Sequence, residues 1–235
     1  METHQGNFFV FEGIDGSGKS TQVKLLIKRL QEAGYQVETI DFPQYRKKSA
    51  GPVEEYLSGK YGSSVEVGPR RASIFFAIDR YDASFTIQRW LAEGKIVICD
   101  RYFASNAGHQ GGKIQDQKEW EEFIDWLYNL EFGIFKIPRP DINFVLGITP
   151  ELSRRLSGEV KDGEKLAKKQ SFLGEEKQDM HEQDLEHLKQ AAASYDRLVK
   201  KFPDDFVMIN CIRDEQLLSP QKIHELIWAV AEKMI

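Results

Sequence analysis

The chain has 235 residues, 41% of them apolar and 29% charged, enough to bury one sizeable α/β core and short for two full domains. A net charge of −5 speaks against a protein that lays nucleic acid along a basic face, and no apolar run approaches the roughly 20 residues that span a bilayer. The opening METHQGN has no basic stretch leading into an apolar one, so the expected compartment is the cytoplasm.

The first apolar run, Phe8–Glu12, predicts a strand, and it runs straight into Gly13-Ile14-Asp15-Gly16-Ser17-Gly18-Lys19-Ser20-Thr21. This is a complete GxxxxGK[ST] loop between a strand and a helical pattern that extends from Lys19 to Ala33 and stops at Gly34. In that setting the glycines let consecutive backbone N–H groups and a helix N-terminus point at one anion. Lys19 then reaches the outer phosphates and the Ser20 hydroxyl can hold a magnesium ion, so a nucleoside triphosphate is the natural guest.

Further along, Gln36–Asp41 predicts a second strand closed by Phe42-Pro43, and Gly68-Pro69 opens a long helix that ends at Glu93, before Gly94. Lys95–Asp100, Asp141–Ile148 and Phe206–Asn210 supply three more strands, with helices near Asp116–Leu130, Pro150–Ser157, Gln178–Phe202 and Pro220–Met234 between and after them. Strands alternating with helices predict a five-stranded parallel sheet covered on both faces, a three-layer α/β sandwich forming one domain over 1–235. Cys99 and Cys211 each end a strand-like run and read as small core side chains rather than a disulfide or a metal pair.

One stretch departs from this order. Between Arg154 and Lys177 seven basic residues stand against five acidic ones, with little apolar periodicity. A charged segment beside a phosphate site is expected either to close over it as a mobile lid or to be a solvated loop. Elsewhere, Asp100-Arg101-Tyr102 falls where the third strand runs out, the edge at which open parallel sheets bind ligands. Asp100 is then a candidate to support magnesium and Arg101 to brace phosphate, unless the two are only a structural ion pair. In the long helix Phe76 and Arg80 lie four apart and share a face, which suits a base stacked on the ring beside a cation, although Phe76 by itself reads as core packing.

Taken in order, GIDGSGKST, Phe42-Pro43-Gln44-Tyr45, Phe76-Ala77-Ile78-Asp79-Arg80 and Asp100-Arg101-Tyr102-Phe103-Ala104-Ser105-Asn106 resemble the thymidylate kinases, from about Asn7 to Asn210. The resemblance implies a P-loop kinase sandwich that moves the γ-phosphoryl group of ATP onto dTMP, with magnesium, in a homodimer. It assigns ATP phosphate binding to Gly13, Asp15, Gly16, Ser17, Gly18, Lys19, Ser20 and Thr21, and magnesium to Ser20 and Asp100. Acceptor binding falls to Asp15 at the 3′-hydroxyl, Phe42, Pro43 and Tyr45 near the sugar, Phe76 and Arg80 at the base, Arg101 at the phosphate, and Ser105, Asn106, His109 and Gln110 around them. His109 replaces an aromatic phenol common in the family near the sugar, which leaves selection of deoxyribose open. Some members carry an arginine inside the phosphate loop. Here that place is Gly16, so the catalytic cation, beside Lys19, Asp15 and Arg101, is expected from the lid, with Arg155 and the lysines at 161, 165, 168 and 169 as candidates. The aromatic helices, with Phe75, Phe85 and Trp90 on one and Trp120, Phe123 and Trp126 on the other, are expected to supply either a dimer surface or core. Related readings are a kinase of another nucleotide or of a nucleoside, or a nucleotide-dependent switch; a GTPase is disfavoured because neither the Asp-x-x-Gly turn nor the Asn-Lys-x-Asp guanine reader is present.

Overall fold

The computed structural model describes residues 6–159 and 185–235. Five parallel strands, β1 (Phe8–Glu12), β2 (Val37–Asp41), β3 (Ile96–Asp100), β4 (Ile142–Gly147) and β5 (Phe206–Asn210), form one sheet in the order β2-β3-β1-β4-β5. The three inner strands are buried almost throughout, which is why FFVFE, IVICD and INFVLG read as near-continuous apolar runs rather than alternating ones. The sheet is therefore the expected one.

Helices cover both faces: α1 (Lys19–Glu32), α2 (Gly51–Leu57), α3 (Ser64–Val67), α4 (Pro69–Ala92), α5 (Phe103–His109), α6 (Gln117–Tyr128), α7 (Pro150–Glu159), α8 (Leu185–Lys201) and α9 (Pro220–Ala231). Their ends follow local chemistry. Pro69 sits at the first turn of α4, and Asp116 and Ser219 cap α6 and α9 by accepting from Glu119 N and Lys222 N. The core joins Phe9, Phe11 and Phe144 of the sheet to Leu26, Leu30, Ile87, Leu91, Phe123, Tyr195 and Ile227 of the helices. Cys99 and Cys211 are buried and unbonded to each other, as their positions suggested.

Several elements have no periodic signal and were not foreseen. They are α2, α3, α5, a π-helical turn at Asn129–Ile134, and a two-stranded antiparallel ribbon, β6 (Ile212–Arg213) with β7 (Gln216–Leu217). The segment expected as a lid, about 154–177, starts inside α7, and from residue 160 onward it lies outside the described residues. So do Lys161, Lys165, Lys168 and Lys169, and residues 178–184 of the helix expected from Gln178.

The strand order positions the site. β1 leads to α1 and on to β2, yet β3 lies between β1 and β2, so the chain reverses direction across the sheet beside β1, where ligands bind in folds of this kind. Phe11 pairs with Asp100, and Arg101 N donates to Phe11 O at 2.9 Å. The loop after β1 and the turn after β3 are thus adjacent at the carboxyl edge.

Candidate active site

The loop after β1 is shaped by its glycines. Gly13 has φ 132°, and a Cβ there would meet Leu146 O of β4 at 2.9 Å; Gly18, at φ 89°, is the residue from which α1 starts. Lys19 folds back over the curl: its ammonium donates to Gly13 O at 3.0 Å and Ile14 O at 2.9 Å and contacts Ser17 Oγ at 3.4 Å. Gly16 and Ser20 are half-buried, and Gly18 and Thr21 are exposed at the mouth. Helix α1 carries no acidic residue in its first turn to compete for an anion at its positive end. Ser153 of α7 donates its hydroxyl to Asp15 O and so ties that helix to the loop.

Arg101 lies directly beyond β3, at a φ of 72° that side-chain-bearing residues seldom adopt. Its guanidinium pairs with Asp15 and reaches Gly13 O at 3.3 Å, Ser105 Oγ at 3.3 Å and His109 Nε2 at 3.1 Å. Burial opposes the charge, but the Asp15 carboxylate outweighs it and holds Arg101 firmly protonated. Glu12, fully buried, fixes the turn: its carboxylate accepts from Tyr102 N at 2.6 Å, Ser105 N at 3.1 Å, Ser105 Oγ at 2.7 Å and Tyr195 OH at 3.0 Å. Desolvation raises its pKa, and the hydrogen bond from Ser105 works in the other direction. Sequence reading passed over Glu12, although a carboxylate closing an otherwise apolar strand is a signal in itself.

The residues expected to bind the acceptor divide into half-buried ones and buried ones that support them. Phe76 is half-buried and packs edge-on against Tyr56, with ring centroids 6.1 Å apart; Tyr45 and Phe75 pack on the same small cluster. Phe42, 6% exposed and 5.8 Å from the Tyr102 ring, belongs to the main core, while Pro43, joined to it by a cis peptide bond, is half-buried. Asp79 anchors this segment by accepting from Gln44 N and from Ser49 Oγ, both at 2.7 Å.

Arg80 is almost wholly buried, and its Nε and Nη2 donate to the two oxygens of Glu131 at 2.6 Å each. Burial disfavours the guanidinium charge and Glu131 more than restores it. Asn106 reaches the same Glu131 at 3.3 Å and donates to Ser73 O at 3.0 Å. The face that Phe76 and Arg80 share is therefore held by a buried acid on the π-helical turn, which no sequence pattern marked. Gln110 is buried and accepts from Lys113 at 2.8 Å; Lys113 also donates to Tyr56 OH at 3.1 Å, and burial pulls its pKa down to about 8.

Asp100 is buried at the end of β3, in register with Phe11 and Asp41. No group of three or more His, Cys, Asp or Glu side chains that could cage a metal occurs among the described residues. A hydroxyl at Ser20 and a carboxylate at Asp100 fit a different arrangement, in which magnesium keeps waters, takes one or two hard oxygen ligands from the protein and the rest from phosphates. Arg155 is exposed on α7, two residues beyond Ser153.

With the glycine-rich loop and Arg101 adjacent at neighbouring strand ends, the chain is matched by known proteins along most of its length. The profile described as thymidylate kinase matches residues 11–219. The chain belongs to the thymidylate kinase family. It is 31% identical to the thymidylate kinase of Chlorobaculum parvum, over 95% of this chain and 94% of that protein, and 30% identical to that of Exiguobacterium, over 90% and 92%. The match to the Mycobacterium tuberculosis thymidylate kinase is 34% identical and spans 60% of this chain and 66% of that protein's length. In fold, the chain resembles the thymidylate kinase of Candida albicans at a TM-score of 0.70 and 21% identity, covering 98% of this chain and 93% of that one. The Ehrlichia chaffeensis thymidylate kinase gives 0.66 at 23% identity.

Proposed function

We propose that this chain performs the reaction of its family, transferring the γ-phosphoryl group of ATP to dTMP to give dTDP and ADP. The observation that carries the reading is the adjacency of the Lys19 loop and Arg101, joined through Asp15, at the carboxyl edge of β1 and β3. Phosphoryl transfer asks little covalent work of a protein; alignment and neutralised charge do most of it. Lys19 and the loop amides cradle the donor phosphates. Arg101 takes the acceptor phosphate, displacing part of its contact with Asp15, whose carboxylate is freed to accept from the sugar hydroxyl.

Magnesium held by Ser20 and Asp100 would neutralise phosphate charge. Phe76 stacks on the base, Arg80 and Asn106 border its edge on the support of Glu131, and Tyr45, Pro43 and Gln110 close the pocket, with Phe42 behind them. Arg155, at the near end of the lid segment, is the described candidate for the further cation that a loop with Gly16 lacks. The enzyme acts in the cytoplasm as a homodimer. Among the described residues no helix is long and apolar enough to cross a membrane, and α4 presents Ile78, Tyr81 and Phe85 to solvent.

ADP release with ATP and magnesium, measured against dTMP, dUMP, dCMP, dGMP, dAMP and thymidine with products identified by mass, tests this. Turnover with dTMP and little with thymidine is expected, because Arg101 requires a charged acceptor. ATP consumption independent of any acceptor overturns the reading.

A further inference from the structure

His109 has no ring nitrogen to spare. Its Nε2 lies 3.1 Å from Arg101 Nη1 and its Nδ1 lies 3.2 Å from Nε2 of His187, with the two imidazole planes within 23° of each other and their centroids 5.4 Å apart. A guanidinium has only N–H groups to offer, so the contact with Arg101 requires a bare lone pair on His109 Nε2. The proton of the neutral ring is then on Nδ1, and it is donated to His187 Nε2, which must also be bare. The direction of every hydrogen bond from His187 to Asp15 follows from that one constraint.

We propose that His187 is a positioning residue for the acceptor arginine: by accepting from His109 it fixes the tautomer that turns the His109 lone pair toward Arg101, and so aims the guanidinium at the acceptor phosphate. The inference deepens the kinase reading and rests on it. Burial and the neighbouring Arg101 charge hold the His109 pKa well below its ordinary value, with Asp15 opposing and His187 and Lys19 assisting, which keeps the ring neutral as the relay demands. Tyr195 closes the far side, edge-on to His109 at 6.1 Å while its hydroxyl serves Glu12. The arrangement also reassigns His109. With both nitrogens engaged inside the protein it is a brace for Arg101 rather than a hydrogen-bonding partner of the sugar. Since His187 is on the first turn of α8, the relay also makes that helix, and not the strand edge alone, part of the acceptor site.

The test pairs spectroscopy with kinetics. Nitrogen-15 correlation spectra of the wild-type protein at pH 8 are expected to find His109 with its proton on Nδ1, the tautomer less populated in water; a proton on Nε2 overturns the inference whatever the enzyme phosphorylates. In steady-state assays His187→Phe, which keeps an aromatic ring and loses the acceptor, is expected to raise the KM for dTMP on the order of tenfold, the worth of one hydrogen bond to a charged group, while the KM for ATP stays within about twofold. His187→Gln, whose Oε1 can accept in place of Nε2, is expected to recover most of that loss. Equal changes in both KM values, or no recovery with Gln, mean a packing role only and overturn it. A wild-type enzyme that ignores dTMP would refute the kinase reading instead, and the tautomer would still decide the relay.

Discussion

Single side chains of the proposed site fall into two kinds: those expected to meet phosphate, and those that hold other side chains of the site in place. Lys19 belongs to the first group, and its contacts to Gly13 O and Ile14 O are ones that a phosphate would replace. Lys19→Ala is expected to abolish turnover while leaving the circular dichroism spectrum and the melting temperature nearly unchanged, since the lysine packs against loop carbonyls and not against the apolar core. Lys113 belongs to the second group. Its partners are a phenol and an amide, and its pKa is drawn down to about 8 from the usual 10.5. Between those two values the unfolded chain binds the proton that the folded chain has released, so stability contributed by this group rises with pH across that window. Denaturant unfolding of wild type and Lys113→Met at pH 7.5, 8.5 and 9.5 is expected to move the difference steadily in favour of wild type; a difference that stays flat removes the assignment.

At the scale of elements, legibility follows the range of the forces involved. β1, β3 and β4 announced themselves because strands buried on both faces are apolar along their length, and α4 because Gly68-Pro69 opens it and Gly94 follows it. The curl of the glycine loop after β1 was readable for the same reason: its signal is contiguous. What escaped depends on contacts between distant segments. Glu131 meets Arg80 across 51 positions and Tyr195 meets Glu12 across 183, and no local period records either. Trp120 and Phe123, candidates for either surface or core, are core, since α6 packs its apolar stripe inward and Trp120 Nε1 donates to Ser194 at 2.8 Å. The packing of α5 on α8 shows how little space such contacts leave. A Cβ on Gly108 would stand 2.4 Å from Cε2 of the Tyr195 ring, inside contact distance. Gly108→Ala is expected to destabilise by about 1–3 kcal/mol through overpacking, read as a lowered denaturation midpoint. By displacing Tyr195 from Glu12 it is also expected to loosen the turn that carries Arg101, so kcat/KM for dTMP falls at temperatures where the variant is still folded.

For the whole molecule the unanswered demand is on the outer face of α4. Phe85 is 60% exposed and Tyr81 41%, their rings 5.3 Å apart edge to face, and Phe135 packs at a tilt against Tyr81 at 5.1 Å beside Ile134, which is 64% exposed. Tyr81 and Phe85 are one turn apart, so the face is continuous rather than a scatter of single apolar residues. A second copy of the chain that meets this face around a twofold axis would cover Phe85 with its own equivalent, since such interfaces use one patch twice. The same helix carries Phe76 and Arg80 on its inward side, so pairing of copies would support the proposed acceptor pocket from behind. Phe85→Asp places a charge where two faces would meet. It is expected to convert a dimer to a monomer in sedimentation velocity at micromolar concentration and to raise the KM for dTMP more than that for ATP, with the fold kept because residue 85 is outside the core. A wild-type protein that sediments as a monomer, or a Phe85→Asp variant that remains dimeric, assigns this face to something other than self-association.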